Sequence, residues 1–120
     1  MHKIMLVEDD ETMLSLLETF LIMEGFEVIK EDCENTLETI IENVRRSRPE
    51  LVISDITLRQ LDGFQLLAKI KQNSELQGVR VLMSSGIDHS QRCYQAGADG
   101  FLLKPYMPEE LVDKIGSILK

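Results

Sequence analysis

The chain has 120 residues, enough for one domain and too few for two. Thirteen basic against 21 acidic side chains leave a formal net charge of −8, the wrong sign for nonspecific binding to nucleic acid or an anionic membrane. The 43% hydrophobic and 28% charged fractions argue for a globular fold and against disorder.

No apolar run approaches the roughly 20 residues of a membrane span. The opening Met1–Val7 meets acids too soon to be a signal peptide, so a cytoplasmic domain is expected. Cys33 and Cys93 have no CxxC spacing and read as buried small hydrophobes of a reducing compartment.

In chain order, short apolar runs alternate with helical patterns. Ile4–Val7 predicts a first strand. Met13, Leu16, Leu17, Phe20 and Leu21 then recur at helical spacing, with Gly25 where a helix C-terminus favours glycine. Phe26–Lys30 alternates apolar and charged residues, as a half-exposed edge strand does. Leu37, Ile40, Ile41 and Val44 form the second helix, with Arg45 and Arg46 at its negative end and Pro49 beyond. Leu51–Ile53 is the third strand, and a helix from Gly63 carries Leu66, Leu67 and Ile70.

Val79–Met83 gives the fourth strand, Ser90–Ala96 a short helix and Phe101–Leu103 the fifth strand. The last helix starts at Pro108, with Glu109 and Glu110 in its first turn and Leu111, Ile115, Ile118 and Leu119 on its buried face. Met107, at the N-cap, offers no side-chain oxygen, so that start is expected to be weakly anchored. The six methionines are expected to fill core gaps, and His2 and His89 to lie at the surface. Five βα units in succession predict an α/β fold: a flavodoxin-like, doubly wound parallel sheet of five strands in the order 2-1-3-4-5, with five helices.

In such a sheet all carboxyl ends share one edge, and ligands bind where the strand order reverses. The first strand runs into Glu8-Asp9-Asp10, the third into Ser54-Asp55, the fourth into Ser84-Ser85-Gly86 and the fifth into Lys104-Pro105. The edge strand, ending near Glu31-Asp32, is the one expected to stay outside the cluster. Converging carboxylates repel, and a divalent cation stabilises them together. Hard oxygen donors without His or Cys favour Mg²⁺, which takes one or two carboxylates and keeps waters. Lys104 adds a point charge suited to phosphate, and Ser85 a hydroxyl donor. Asp55, ending a central strand, is the best-held nucleophile toward phosphorus.

These residues, in this order, resemble the receiver domain of bacterial two-component response regulators over essentially the whole chain, residues 1–120. Ile4–Asp10, Leu51–Asp55, Leu61-Asp62-Gly63, Val81–Gly86, Ala96–Gly100 and Leu103–Tyr106 carry the likeness. The resemblance implies Asp55 as phosphoacceptor, Asp9 as direct Mg²⁺ ligand, Glu8 acting mostly through water, and the Thr57 backbone carbonyl as a further ligand. It implies Ser85 as the switch hydroxyl, Phe101 as the switch aromatic, Lys104 as the phosphate-binding lysine and a cis bond before Pro105.

The implied partners are a sensor histidine kinase or phosphotransfer protein and an unknown output domain or target. The implied output surface is the face of the fourth helix, fifth strand and fifth helix, through which two copies could also pair. Four positions depart from the family pattern or tune it. Arg59 stands where proline is common, so the loop is expected to be more mobile. Ser85 replaces the commoner threonine. Phe101 lacks a hydroxyl. Apolar Ile87 cannot orient an attacking water, which predicts slow self-dephosphorylation.

Asp10 alone reads as a helix cap, and Asp62-Gly63 as turn chemistry. A haloacid-dehalogenase-like phosphohydrolase is disfavoured, because Thr57 stands where its second acid belongs and no cap segment is present. The receiver reading implies no turnover of an outside substrate. A receiver-like interaction module that takes no phosphate is the remaining alternative.

Overall fold

A computed structural model of the chain describes residues 2–120. In chain order the elements are β1 (Lys3–Val7), α1 (Glu11–Met23), β2 (Glu27–Lys30), α2 (Leu37–Ser47), β3 (Leu51–Asp55), α3 (Gly63–Gln72), β4 (Arg80–Ser85), α4 (Ser90–Gln95), β5 (Gly100–Leu103) and α5 (Pro108–Ile118). A single 3-10 turn, Ser74–Leu76, follows α3 and has no periodic signal in the sequence. The strands form one all-parallel sheet in the order β2-β1-β3-β4-β5. The expected flavodoxin-like topology is present.

Consecutive strand residues point to opposite faces, and this builds two apolar layers from one sheet. Met5, Val7, Val52, Val81 and Met83 pack under Ile40 and Val44 of α2, Leu66, Leu67 and Ile70 of α3, and Cys93 of α4. Ile4, Leu6, Leu51, Ile53, Leu82 and Leu102 pack under Leu17 and Leu21 of α1 and Leu111, Ile115 and Ile118 of α5. Burial on both faces explains why the central strands read as unbroken apolar runs.

Helix ends follow from local chemistry. Asp10, Thr36 and Asp62 each cap a helix by accepting a backbone N–H. Gly25 closes α1 at φ +95°, a conformation glycine adopts without penalty, while Phe26 N–H returns to Leu21 O at 3.0 Å. The start of α5 is better anchored than the sequence suggests. Glu110 reaches back to accept the Met107 N–H at 3.1 Å, behind Pro108 in the first turn.

Both cysteines are buried and unpaired. The methionines divide: Met5 and Met83 lie in the core, whereas Met23 and Met107 are exposed at helix termini. Met1 falls outside the described residues. His2 is exposed and contacts Glu50, and His89 lies edge-on to Phe64.

Candidate functional site at the carboxyl edge of the sheet

The strand order turns at β1 and β3, and the residues leaving these strands and their neighbours β4 and β5 converge there. Register places Asp55 beside Ser84 across the β3–β4 ladder. Lys104 N–H binds Ser85 O at 2.8 Å, holding the lysine beside β4. The Lys104-Pro105 bond is cis, as expected.

Lys104 Nζ lies 2.7 Å from Asp55 Oδ1 and 2.9 Å from Oδ2, and 3.2 Å from Glu8 Oε1. One ammonium thus joins two acids from separate strands. The Asp55 side chain keeps 13% of its exposure, enough for a small reactant to reach it, while Glu8 keeps only 6%.

Burial raises the Glu8 pKa above the usual carboxylate range, and the nearby Asp55 charge adds to this. The Asp10 N–H at 3.0 Å and Lys104 oppose it. Burial alone would lower the Lys104 pKa. Its hydrogen bond to Asp55, with the charges of Asp55 and Glu8, outweighs that and holds it above its usual value. The ammonium is therefore a fixed positive charge across the physiological range.

Asp9 faces the β3–α3 loop. Its Oδ2 accepts the Arg59 N–H at 2.6 Å, and the Arg59 guanidinium donates to Asp9 O at 2.8 Å. The expectation of a loosened loop therefore needs revision, because the residue in the usual proline place is fastened to Asp9 by two hydrogen bonds. Thr57 is exposed and bridges to Asp62. Ser85 is buried at the end of β4, and its Oγ accepts the Ile87 N–H at 3.1 Å. Phe101 is already buried in the layer that holds Met83 and Cys93. Asp10 is a helix cap, as expected.

Three features were not anticipated. Ser84, buried in β4, donates from Oγ to Asp55 Oδ1 at 3.0 Å. A polar residue ahead of Ser85 in an otherwise apolar run was the available signal. Gly63 lies so close to β3 that a Cβ there would fall 2.3 Å from Asp55 O. The end of the edge strand also comes beside the acidic side of the site, at Glu8 and Asp9, while it stays apart from Asp55, Ser85 and Lys104. Glu31 and Asp32 line a cleft of about 620 Å³ together with Glu8, Asp9, Asp10 and Arg59. Glu31 N–H continues the β1–β2 ladder to Leu6 O, while Asn35 and Asn43 bind its carboxylate.

The donors that converge here are hard oxygens, the set that suits Mg²⁺. Among the described residues no three His, Cys, Asp or Glu side chains are arranged to hold a metal by themselves. A cation here would need water to complete its shell, which fits Mg²⁺ better than a fully protein-coordinated ion.

The family model for the response regulator receiver domain matches residues 4–116. The chain belongs to the response regulator receiver family. The chemotaxis protein CheY of Bacillus subtilis (strain 168) is 31% identical over 98% of both chains. The sensory transduction protein BceR of Halalkalibacterium halodurans is 37% identical over the whole of this chain and 51% of its own length. Thus the chain spans about half the length of several curated relatives. A response regulator signal receiver domain from Bermanella marisrubri superimposes with a TM-score of 0.86 at 26% identity, covering 98% of each chain. This receiver is therefore a response regulator domain of two-component signalling. Among its described residues no helix is long and apolar enough to cross a membrane.

Proposed function

We propose that this receiver accepts a phosphoryl group on Asp55 from a histidine kinase or phosphotransfer protein, and that the modification switches an output surface. The observation that carries the reading is the pair of contacts from Lys104 Nζ to both Asp55 oxygens, on an aspartate still open to solvent. Asp9, Asp55 and the Thr57 carbonyl, with Glu8 acting mostly through water, would hold Mg²⁺. When bound, it would neutralise charge on the phosphoryl oxygens.

The protein's own residues do the rest. β3 holds the Asp55 backbone, so the carboxylate approaches phosphorus from a fixed direction. Lys104 stays protonated and is placed to attract the phosphoryl oxygens. Ser85 gives up its bond from Ile87 N–H and donates to a phosphoryl oxygen, drawing the β4–α4 loop with it.

Phe101 is inward in this structure, so its switching role lies in holding the inward packing rather than in a rotation from outside. Tyr94 of α4, Leu103 of β5 and Met107 before α5 expose apolar surface on the proposed output face, where a target or a second copy would dock. The chain modifies itself and turns over no outside substrate.

Incubation with Mg²⁺ and acetyl phosphate tests the reading by intact mass. Wild type gains one phosphoryl group that mild base removes, and Asp55→Asn gains none. Mg²⁺ binding without phosphoryl addition would favour the phosphate-independent interaction module. Continuous release of phosphate from many donors would favour a hydrolase.

A further inference from the structure

We propose that Ser84 directs which Asp55 oxygen reacts and shortens the life of the phosphorylated state. This rests on Asp55 being the phosphoacceptor. Ser84 and Ser85 are adjacent on a strand, so their side chains point to opposite faces of the sheet. Ser85 Oγ accepts from Ile87 N–H, whereas Ser84 Oγ donates to Asp55 Oδ1 at 3.0 Å. Ser84 is 3% exposed and sits directly across the β3–β4 ladder from Asp55, so both ends of this bond are held by strand backbone.

The two carboxylate oxygens are consequently unlike. Among the described residues, Oδ1 takes donors from Ser84 and Lys104, and Oδ2 from Lys104 alone. Oδ2 is the freer oxygen and attacks phosphorus. Oδ1 becomes the carbonyl oxygen of the acyl phosphate and keeps the Ser84 hydroxyl.

In hydrolysis, water attacks phosphorus and the bond from Oδ2 to phosphorus breaks. The electron pair of that bond returns to the carboxylate, and both water protons leave on dihydrogen phosphate. Negative charge therefore grows on Oδ1 and Oδ2 in the transition state. A hydrogen bond to an ionised acceptor is about twice as strong as one to a neutral carbonyl. Ser84 stabilises the departing carboxylate more than the acyl phosphate, and so speeds hydrolysis.

The test compares wild type, Ser84→Ala and Ser84→Thr after phosphorylation with acetyl phosphate and Mg²⁺, with thermal melts to confirm folding. Phosphoryl lifetime is followed by intact mass. The carbonyl stretch of the acyl phosphate is read by infrared difference spectroscopy on ¹³C-aspartate-labelled protein. Ser84→Ala is expected to lengthen the lifetime about tenfold, about 1.4 kcal/mol in the barrier. It should also raise the carbonyl frequency, and Ser84→Thr should restore both.

A phosphorylated Ser84→Ala with unchanged or shorter lifetime, or with an unchanged carbonyl stretch, overturns this inference alone. Failure of wild type to form any adduct overturns both it and the phosphoacceptor reading.

Discussion

Gly63 opens α3 against the backbone of the proposed phosphoacceptor, and Gly63→Ala tests how tightly that junction is built. A Cβ there would lie 2.3 Å from Asp55 O, 2.8 Å from Ile56 Cα and 3.0 Å from Ile56 O. All three are backbone atoms, and the segment is tied by Ile56 N–H to Ser84 O at 2.9 Å and Gly63 N–H to Ile56 O at 2.8 Å. No side chain can rotate away. Relief requires the start of α3 to withdraw by about 1 Å to reach ordinary van der Waals separation.

Overpacking costs about 1–3 kcal/mol, and a backbone clash belongs at the upper end. Alanine in place of glycine returns about 0.5–1 kcal/mol of helix stability. The expected net loss is about 2 kcal/mol, a fall in melting temperature of about 8 °C for a domain of this size. Urea and thermal unfolding followed by circular dichroism measure it. Gly116→Ala is the control, because a Cβ at Gly116 in α5 meets nothing within 4 Å. It should gain up to about 1 kcal/mol. A Gly63→Ala variant as stable as wild type, beside a stabilised Gly116→Ala, would refute the packing argument.

Arg59→Ala should tighten Mg²⁺ binding, since the guanidinium competes for Asp9. With the Arg59 side chain 77% exposed, the gain is at most about 1 kcal/mol, or roughly fivefold, by calorimetric titration. Persistence of the full difference in 0.5 M salt, a concentration that screens exposed charges over about 4 Å, would argue against a competing ion pair.

Burial, with the acids Asp9, Glu8, Asp32 and Glu31, pushes the Cys33 thiol up to about 12, so the folded protein at pH 8 should resist a thiol-disulfide reagent until urea unfolds it. The folded state holds that proton more tightly than the unfolded chain. The matching stability is present below pH 9.0 and lost as the pH rises from there toward 12. Rapid labelling of native Cys33 would contradict its placement. The exposed, apolar Ile87 predicts a phosphoryl half-life longer than seconds, measured by mass, and a half-life of seconds would count against it.

The sheet was legible in the sequence because Ile4–Val7, Leu51–Ile53 and Val81–Met83 are apolar on both faces, a pattern that suits few folds at this length. The acids, hydroxyl and lysine were legible because each follows a strand, where parallel topology brings ends together. Local pattern did not reveal who contacts whom. Arg59 reaches Asp9 across 50 positions, and nothing near either residue announces the pair. Ser84 was hidden by its neighbour, since two adjacent serines read as one hydroxyl position until strand alternation separates them. Nor does the sequence near Glu31 announce that Asn43, twelve positions on in α2, binds its carboxylate at 2.8 Å. Asp62-Gly63 looked like a plain turn. Asp62 does cap α3, but the glycine is required by its distance from β3.

The most direct test of the central claim is to locate the phosphoryl group. Protein treated with acetyl phosphate and Mg²⁺ is reduced with borohydride, which converts an acyl phosphate to an alcohol, and the peptide spanning Leu51–Asp62 is sequenced by mass spectrometry. Homoserine at position 55 alone is the predicted result. Homoserine at Asp9 or another acid, or an unmodified peptide from protein whose mass had risen, would contradict Asp55 as the acceptor.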